Sequence, residues 1–224
     1  EGTYKYEDFD KAGDTYTLKR NVPYFSSESN TQPGMPKYAD LNGDGIIDDN
    51  DRTMIGNGMP KHTGGFTNNF EYKGFDLSIF FQWSYGNDVL NANRLFFENS
   101  NKARDLNQYA SYADRWTPEN PNSNIPRATD SGSNKVFSTR IIEDGSFLRL
   151  KTVSLGYTLP KQLTKKWKID NARVFVAGQN LWTCTGYSGY DPEVSIREGA
   201  LTPGLDFSAY PRAYSISFGI NLGF

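Results

Sequence analysis

The residues with the clearest chemical potential form one acidic stretch, residues 40–51, which reads DLNGDGIIDDND. Its oxygen-bearing groups recur at the spacing of an EF-hand calcium loop. Gly45 stands where such a loop must turn sharply, and Ile47 is placed as its apolar anchor. The predicted metal ligands are the side chains of Asp40, Asn42, Asp44, Asp48 and Asp51, together with the backbone carbonyl of Ile46.

Calcium is expected here as a structural ion, because clustered carboxylates repel one another unless a cation lies between them. Asp51 closes the loop where an EF-hand usually has Glu. Its shorter side chain can coordinate through a single oxygen, which weakens affinity. The alternative interpretation is an Asx-rich turn that holds no ion.

Other chemistry is sparse, and the chain is not expected to be an enzyme. One His (His62) and one Cys (Cys184) leave no basis for a His-rich metal site, a Cys-built zinc site or an internal disulfide. The sequence shows no nucleophile with its base and no acid/base pair. Three aromatic residues are candidates for stacking against a sugar substrate, namely Trp116, Tyr187 and Tyr190.

Composition points to an all-β, loop-rich protein. Apolar residues make up 37% of the chain and aromatic residues 15%, with 21 Gly and 11 Pro. The net charge of −2 provides no field that would attract nucleic acid. The sequence also lacks an apolar run long enough for a membrane helix.

The elements that must position these residues are predicted from alternation with a period of two. In residues 214–224 every even position is apolar and every odd position is small or polar. Residues 75–85 alternate in the same way except at Phe80, and residues 66–72 precede them across a two-residue turn, Lys73-Gly74. Further strands are predicted at 152–159, at 172–183 and, from weaker patterning, within 1–19.

Such strands fit a soluble β-sandwich or a transmembrane barrel. Connection lengths distinguish the two. In an alternating up-and-down arrangement the short connections, 73–74 and 160–171, fall on one side. The long ones, 20–63, 86–146 and 184–213, fall on the other. Barrels of the outer membrane show this asymmetry, with brief periplasmic turns and long extracellular loops. The predicted fold is therefore an antiparallel transmembrane β-barrel segment of about five or six strands.

Four separated segments carry a resemblance to a known family. They are residues 38–91, 147–160 (FLRLKTVSLGYTLP), 173–194 (RVFVAGQNLWTCTGYSGYDPEV) and 215–224 (SISFGINLGF). In that order they resemble the C-terminal part of SusC/RagA-type TonB-dependent outer-membrane transporters of the Bacteroidetes. The resemblance implies that residues 1–224 form part of a barrel of 22 strands around a plugged lumen. It also implies that a plug and earlier strands precede Glu1.

The resemblance implies import as the function: TonB-energised uptake of nutrients such as glycans or oligopeptides across the cell outer membrane. Its implied partners are TonB, a SusD-like surface lipoprotein, membrane lipid and the substrate, with no nucleic acid among them. A second class stays open, a soluble calcium-stabilised β-domain that binds carbohydrate.

Overall fold

A computed structural model describes residues 2–100, 107–129, 136–196, 199 and 202–224. Its helices are short: α1 (Asn93–Phe97) and α2 (Lys161–Thr164). No helix among the described residues has the length and apolarity to cross a membrane. The strands in chain order are β1 (Gly2–Thr3), β2 (Phe9–Ala12), β3 (Thr15–Leu18), β4 (Tyr24–Phe25), β5 (Pro36–Lys37), β6 (Ile46–Ile47), β7 (His62–Tyr72), β8 (Phe75–Tyr85), β9 (Asp88–Asn91), β10 (Ile142–Asp144), β11 (Phe147–Thr158), β12 (Asn171–Thr185), β13 (Leu205–Asp206) and β14 (Ser215–Gly223).

The chain divides into two compact units. One comprises Glu1–Gly56, Leu90–Ile142 and Asp206–Ser208, and is called the loop unit below. The other comprises Asn57–Val89, Glu143–Leu205 and Ala209–Phe224, and is called the sheet unit.

The sheet unit is built on five long strands in the order β14-β12-β11-β8-β7. Every neighbouring pair is antiparallel. The strands predicted at 66–72, 75–85, 152–159, 172–183 and 214–224 are all confirmed, and this sheet is a segment of a barrel wall. The antiparallel order also confirms that the short connections lie at one end of the strands and the long connections at the other end.

One face of this sheet is apolar from strand to strand. A row across the sheet contains Phe70, Leu77, Leu155, Val176 and Phe218 in register. Phe218 is 82% exposed, so the sheet unit itself leaves this face uncovered. Aromatic side chains close the same face near the short turns, where the ring centroids of Phe75 and Tyr157 lie 4.5 Å apart. A continuous apolar face between aromatic ends is the pattern of a lipid-facing barrel wall.

The opposite face is small and polar. Ser78, Ser154, Ala177 and Ser217 form one row across it. The neighbouring row has a larger residue, Phe175, and it fits because its β14 neighbour is a glycine. A Cβ on that neighbour, Gly219, would lie 2.3 Å from the Phe175 ring. The small side chains predicted from the alternation therefore make room for the few large ones.

Two strands are irregular at the same level. On β11 the register shifts between Leu150 and Thr152, which moves the apolar face from even-numbered to odd-numbered residues. On β12 the shift falls around Asn180, whose φ is 52°. The bulge on β11 therefore reverses the alternation along that strand. On β12, by contrast, even-numbered residues stay on the apolar face on both sides of Asn180, since Val176 pairs with Leu155 and Trp182 pairs with Leu150. The mixed pattern of residues 172–183 comes from Phe175 on the polar face and Gly178 on the apolar face.

The loop unit has a small core of its own. Tyr4, Phe9 and Leu18 are buried together, with partly buried Tyr16 and Met35 against them. Strands β2 and β3 pair with each other as a hairpin. In place of the one strand expected within 1–19 there are three short strands, β1 paired with β5 and the β2–β3 hairpin, and none of them belongs to the five-stranded sheet. The loop unit also contains α1 and a 3₁₀ helix at Ala110–Asp114.

Candidate functional site

The acidic loop 40–51 lies in the loop unit and folds as its sequence suggests. Gly43 and Gly45 have φ values of 79° and 86°, which only glycine adopts without strain. Ile47 is 5% exposed and pairs with Phe25 in the parallel β4–β6 contact, so it anchors the loop as expected. Ile46 is 45% exposed.

The loop carboxylates accept hydrogen bonds from the loop's own backbone. Asp40 accepts from the N–H groups of Gly43 at 2.6 Å and Gly45 at 2.9 Å. Asp51 accepts from Asp48 and from Leu41, both at 2.8 Å. These bonds hold the pKa of the Asp51 carboxyl below its ordinary value.

Asn42, Asp44 and Asp48 complete the loop's side-chain network. Asn42 Nδ2 donates to Asp44 Oδ2 at 3.0 Å, and Asp48 Oδ1 accepts from the Asn50 N–H at 2.7 Å. Within the described residues, no group of three or more His, Cys, Asp and Glu side chains is placed to hold a metal. In this arrangement the loop is therefore stabilised by Asx-type hydrogen bonds, and calcium binding stays a prediction.

The three candidate stacking residues lie in different surroundings. Trp116 is 4% exposed in the loop unit, where its ring faces Gly34 so closely that a Cβ there would lie 2.3 Å away. Tyr187 is 6% exposed and belongs to the buried cluster of the sheet unit with Val89 and Val194. Tyr190 is 80% exposed. Two of the three rings are thus engaged in packing, and the stacking prediction rests on Tyr190 alone.

A buried ion pair next to Tyr190 is the most constrained polar feature of the sheet unit. Arg149 projects from β11, and its side chain is 3% exposed. Its Nη2 lies 2.5 Å from Oδ1 of Asp191, and its Nη1 lies 3.1 Å from Oε2 of Glu193. Its Nε donates to Thr183 Oγ1 at 3.0 Å. The guanidinium thereby joins strands β11 and β12 to the connection that follows β12.

Two further cations complete the cluster around Glu193. Lys151 Nζ and Arg212 Nε each lie 3.1 Å from its Oε2. Burial by itself raises the pKa of Asp191, but hydrogen bonds from Arg149 and from the N–H groups of Glu193 and Arg212 outweigh it. The net result is a pKa below the ordinary value. Asp191 is therefore a carboxylate at neutral pH. The cluster binds the connection 186–214 near its start, at Asp191 and Glu193, and near its end, at Arg212.

Sequence reasoning treats Gly189-Tyr190-Asp191-Pro192-Glu193 only as a rigid turn. It misses the ion pair because Arg149 lies 42 residues from Asp191 in the chain. One signal is present in the sequence: Arg149 is a charged residue between apolar Leu148 and Leu150 inside a strand. Such a residue needs a partner when it is buried.

The sequence and the fold both match one group of proteins. TonB-dependent receptor P3 of Formosa agariphila is 38% identical over 199 residues, which are 87% of this chain. A solved structure of the RagAB peptide importer in its closed-closed state has a TM-score of 0.69 and 31% identity over 85% of this chain. The chain belongs to the SusC/RagA-type TonB-dependent receptors. No family model matches the sequence.

The alignment to these receptors is partial on their side. The chain spans 19% of the P3 receptor and 21% of the RagAB chain. SusC of Bacteroides thetaiotaomicron is 28% identical over 198 residues, which are 88% of this chain and 18% of SusC. The chain thus corresponds to about a fifth of these SusC/RagA-type receptors.

Proposed function

We propose that the chain contributes wall and loops to an outer-membrane importer that is energised by TonB. The observation that carries the proposal is the apolar face of the five-stranded sheet. On β14 alone, Phe218 is 82% exposed and Ile220 is 67% exposed. A soluble domain would leave this face in water, whereas a barrel wall presents it to lipid. The soluble carbohydrate-binding alternative is therefore not favoured.

The cargo is a nutrient such as a glycan or an oligopeptide, and no covalent chemistry is performed on it by these residues. The family relationship supports two partners, a SusD-like lipoprotein at the extracellular mouth and TonB on the periplasmic side. The Arg149–Asp191 pair supports a role at the mouth, because it holds the connection 186–214 against the polar face at the long-loop end of the sheet.

Deletion of the parent gene from its host, followed by growth on separate glycans and peptide mixtures, tests import. The deletion strain is expected to lose growth on one polymer class while it still grows on the corresponding monomer. Restoring the gene should restore growth, and the parent protein should fractionate with the outer membrane. Recovery of the parent protein in the soluble fraction would contradict the proposal.

Calcium at residues 40–51 is a second proposal, with an ordering role for the loop and no catalytic one. It is supported by the ligand spacing, by the positive φ of Gly45 and by the buried anchor Ile47. The loop oxygens that now accept backbone hydrogen bonds would turn to the ion. Sites in extracellular modules function at a Kd of about 10⁻⁴–10⁻³ M, which tolerates the short Asp51.

Calorimetric titration of the parent protein with Ca²⁺ tests the site. The unmodified protein should give saturable heat that an Asp40→Ala, Asp44→Ala double variant lacks. An Asp10→Ala, Asp14→Ala variant, which changes two exposed carboxylates of the β2–β3 hairpin, is the matched control and should titrate normally. Equal heats from the unmodified protein and the loop variant would reject calcium binding by this loop.

A further inference from the structure

A cavity in the loop unit brings together three cationic side chains. Its volume is about 300 Å³, and its lining residues come from two parts of the chain, residues 2–38 and residues 94–140. Lys37, Arg94 and Arg140 line it, together with the uncharged polar residues Tyr38 and Asn124. No carboxylate is among the described residues that line it.

The two arginines of the cavity both form ion pairs with one buried carboxylate, that of Glu98. Arg94 Nε lies 3.1 Å and Arg140 Nη1 lies 2.6 Å from the same oxygen, Oε2 of Glu98. Ser111 donates to the other oxygen of Glu98 at 2.8 Å. The Glu98 side chain is 3% exposed, whereas Arg94 and Arg140 are 25% and 20% exposed. The arginine side chains are thus partly ordered before any ligand arrives, which lowers the entropic cost of binding.

The remaining wall of the cavity adds hydrogen-bond donors. Burial raises the pKa of Tyr38 to about 12 although Arg140 opposes the shift, so its hydroxyl stays protonated at neutral pH. Ser138, Thr139 and Asn124 provide further polar groups. Lys37 is held at 3.0 Å from Asp8. A lining of cations and neutral donors without a carboxylate suits an oxyanion, which Arg binds through two parallel N–H groups.

We propose that this cavity binds the anionic group of a small ligand, either a carboxylate or a sulfate ester carried by one unit of the imported nutrient. The volume lies at the lower end of the range for ligand pockets, roughly 300–1,000 Å³, so it suits one sugar or amino-acid unit. The inference rests on the proposed import function for the source of the ligand. Binding itself is measured separately from import.

Calorimetry of the purified full-length parent protein with three probes tests the cavity. D-glucuronate carries a carboxylate, D-glucose 6-sulfate carries a sulfate ester, and D-glucose carries neither. At least one anionic probe should bind about tenfold or more tightly than glucose, and the tighter one identifies the group. Absence of saturable binding by both anions, or equal affinity for glucose, would overturn the proposal.

Variants assign any binding to this cavity. Arg140→Gln should weaken binding of the anionic probe about tenfold or more. Arg140→Lys should weaken binding less, because lysine keeps the positive charge and loses only the paired N–H groups of the guanidinium. Arg20→Gln, at an exposed arginine outside the cavity, is the matched control and should bind normally. Thermal unfolding shows whether each variant is folded. If Arg140→Gln is not folded, the affinities of Arg140→Lys and Lys37→Gln for the anionic probe show whether it binds in this cavity.

Unchanged affinity in the folded Arg140 and Lys37 variants would refute the cavity as the binding site. The deletion experiment described above separates the two proposals. If restoring the gene restores growth on the nutrient but the protein binds neither anionic probe, the cavity proposal is wrong and the import proposal stands. Loss of outer-membrane location would remove the import function, whatever the binding result.

Discussion

Asp191 is the residue on which the attachment of a long connection depends. Its carboxylate accepts from Arg149 and from the Glu193 and Arg212 N–H groups, and the side chain is 4% exposed. Breaking a buried ion pair typically costs about 3–5 kcal/mol, and the loss should be smaller here because Arg149 keeps its contact with Glu193 at 3.1 Å. Asp191→Asn should therefore detach the connection 186–214 from the sheet.

Trypsin measures this detachment in the parent protein at neutral pH. Asp191→Asn should accelerate cleavage after Arg212 at least several-fold. Asp170→Asn, which changes an exposed aspartate in the short turn before β12, is the control and should leave cleavage unchanged. Equal cleavage of the two variants would show that Asp191 does not hold the connection.

The same contact should fail in acid. The folded pKa of Asp191 lies below its ordinary value of 3.8, so folding favours the charged form. The stabilisation is complete above that ordinary value and is lost as the pH falls through the lower, folded one. A nitroxide at Tyr190→Cys, in a Cys184→Ser background, should become more mobile only below about pH 4. Onset of mobility near neutral pH would contradict the assignment.

Gly34 tests packing in the loop unit. Its φ is 84°, and a Cβ would meet the Trp116 ring at 2.3 Å. Gly34→Ala should cost roughly 2–4 kcal/mol, the sum of the backbone penalty and overpacking. Gly13→Ala is the matched control, because its φ is 65° and nothing lies within 4 Å. Chemical denaturation of the parent protein compares the two, and equal losses would exclude the Trp116 clash as the cause.

At the scale of the strands, the apolar face predicts a directional cost for charge. Ile79 lies near the middle of β8 on the apolar face, and Ser78 lies on the opposite face. Ile79→Arg should lower the free energy of unfolding in lipid vesicles by about 2–4 kcal/mol, the cost of Arg at the bilayer midplane. Ser78→Arg is the control on the other face and should cost clearly less. Equal costs at the two positions would argue against a lipid-facing row.

Alternation predicts these strands well because each residue's side depends only on its position in the strand. It fails on β11, where the register shifts between Leu150 and Thr152, since a bulge depends on the neighbouring strands. The acidic loop is also formed by residues close together in the chain. The turn at Gly45 and the burial of Ile47 can therefore be predicted from the sequence. The Arg149–Asp191 pair and the Glu98 cluster join residues far apart in the chain, and no local spacing encodes them.

At the scale of the whole molecule, the chain is about a fifth of the receptors it resembles. Its strands β14 and β7 are the edges of the five-stranded sheet. Unpaired strand edges promote aggregation, and a barrel removes them by continuing the pairing on both sides. Under the proposed function, neighbouring strands of the full-length receptor pair with β14 and β7, and the apolar face meets lipid.

Electron paramagnetic resonance in bilayers tests this central claim most directly. Nitroxides placed singly along β8 of the parent protein, in a Cys184→Ser background, report collisions with oxygen from lipid and with a water-soluble nickel chelate. Labels at Leu77 and Ile79 should collide mainly with oxygen, and a label at Ser78 should collide less with oxygen. Equal access of the nickel chelate to all three positions would contradict a membrane-spanning wall.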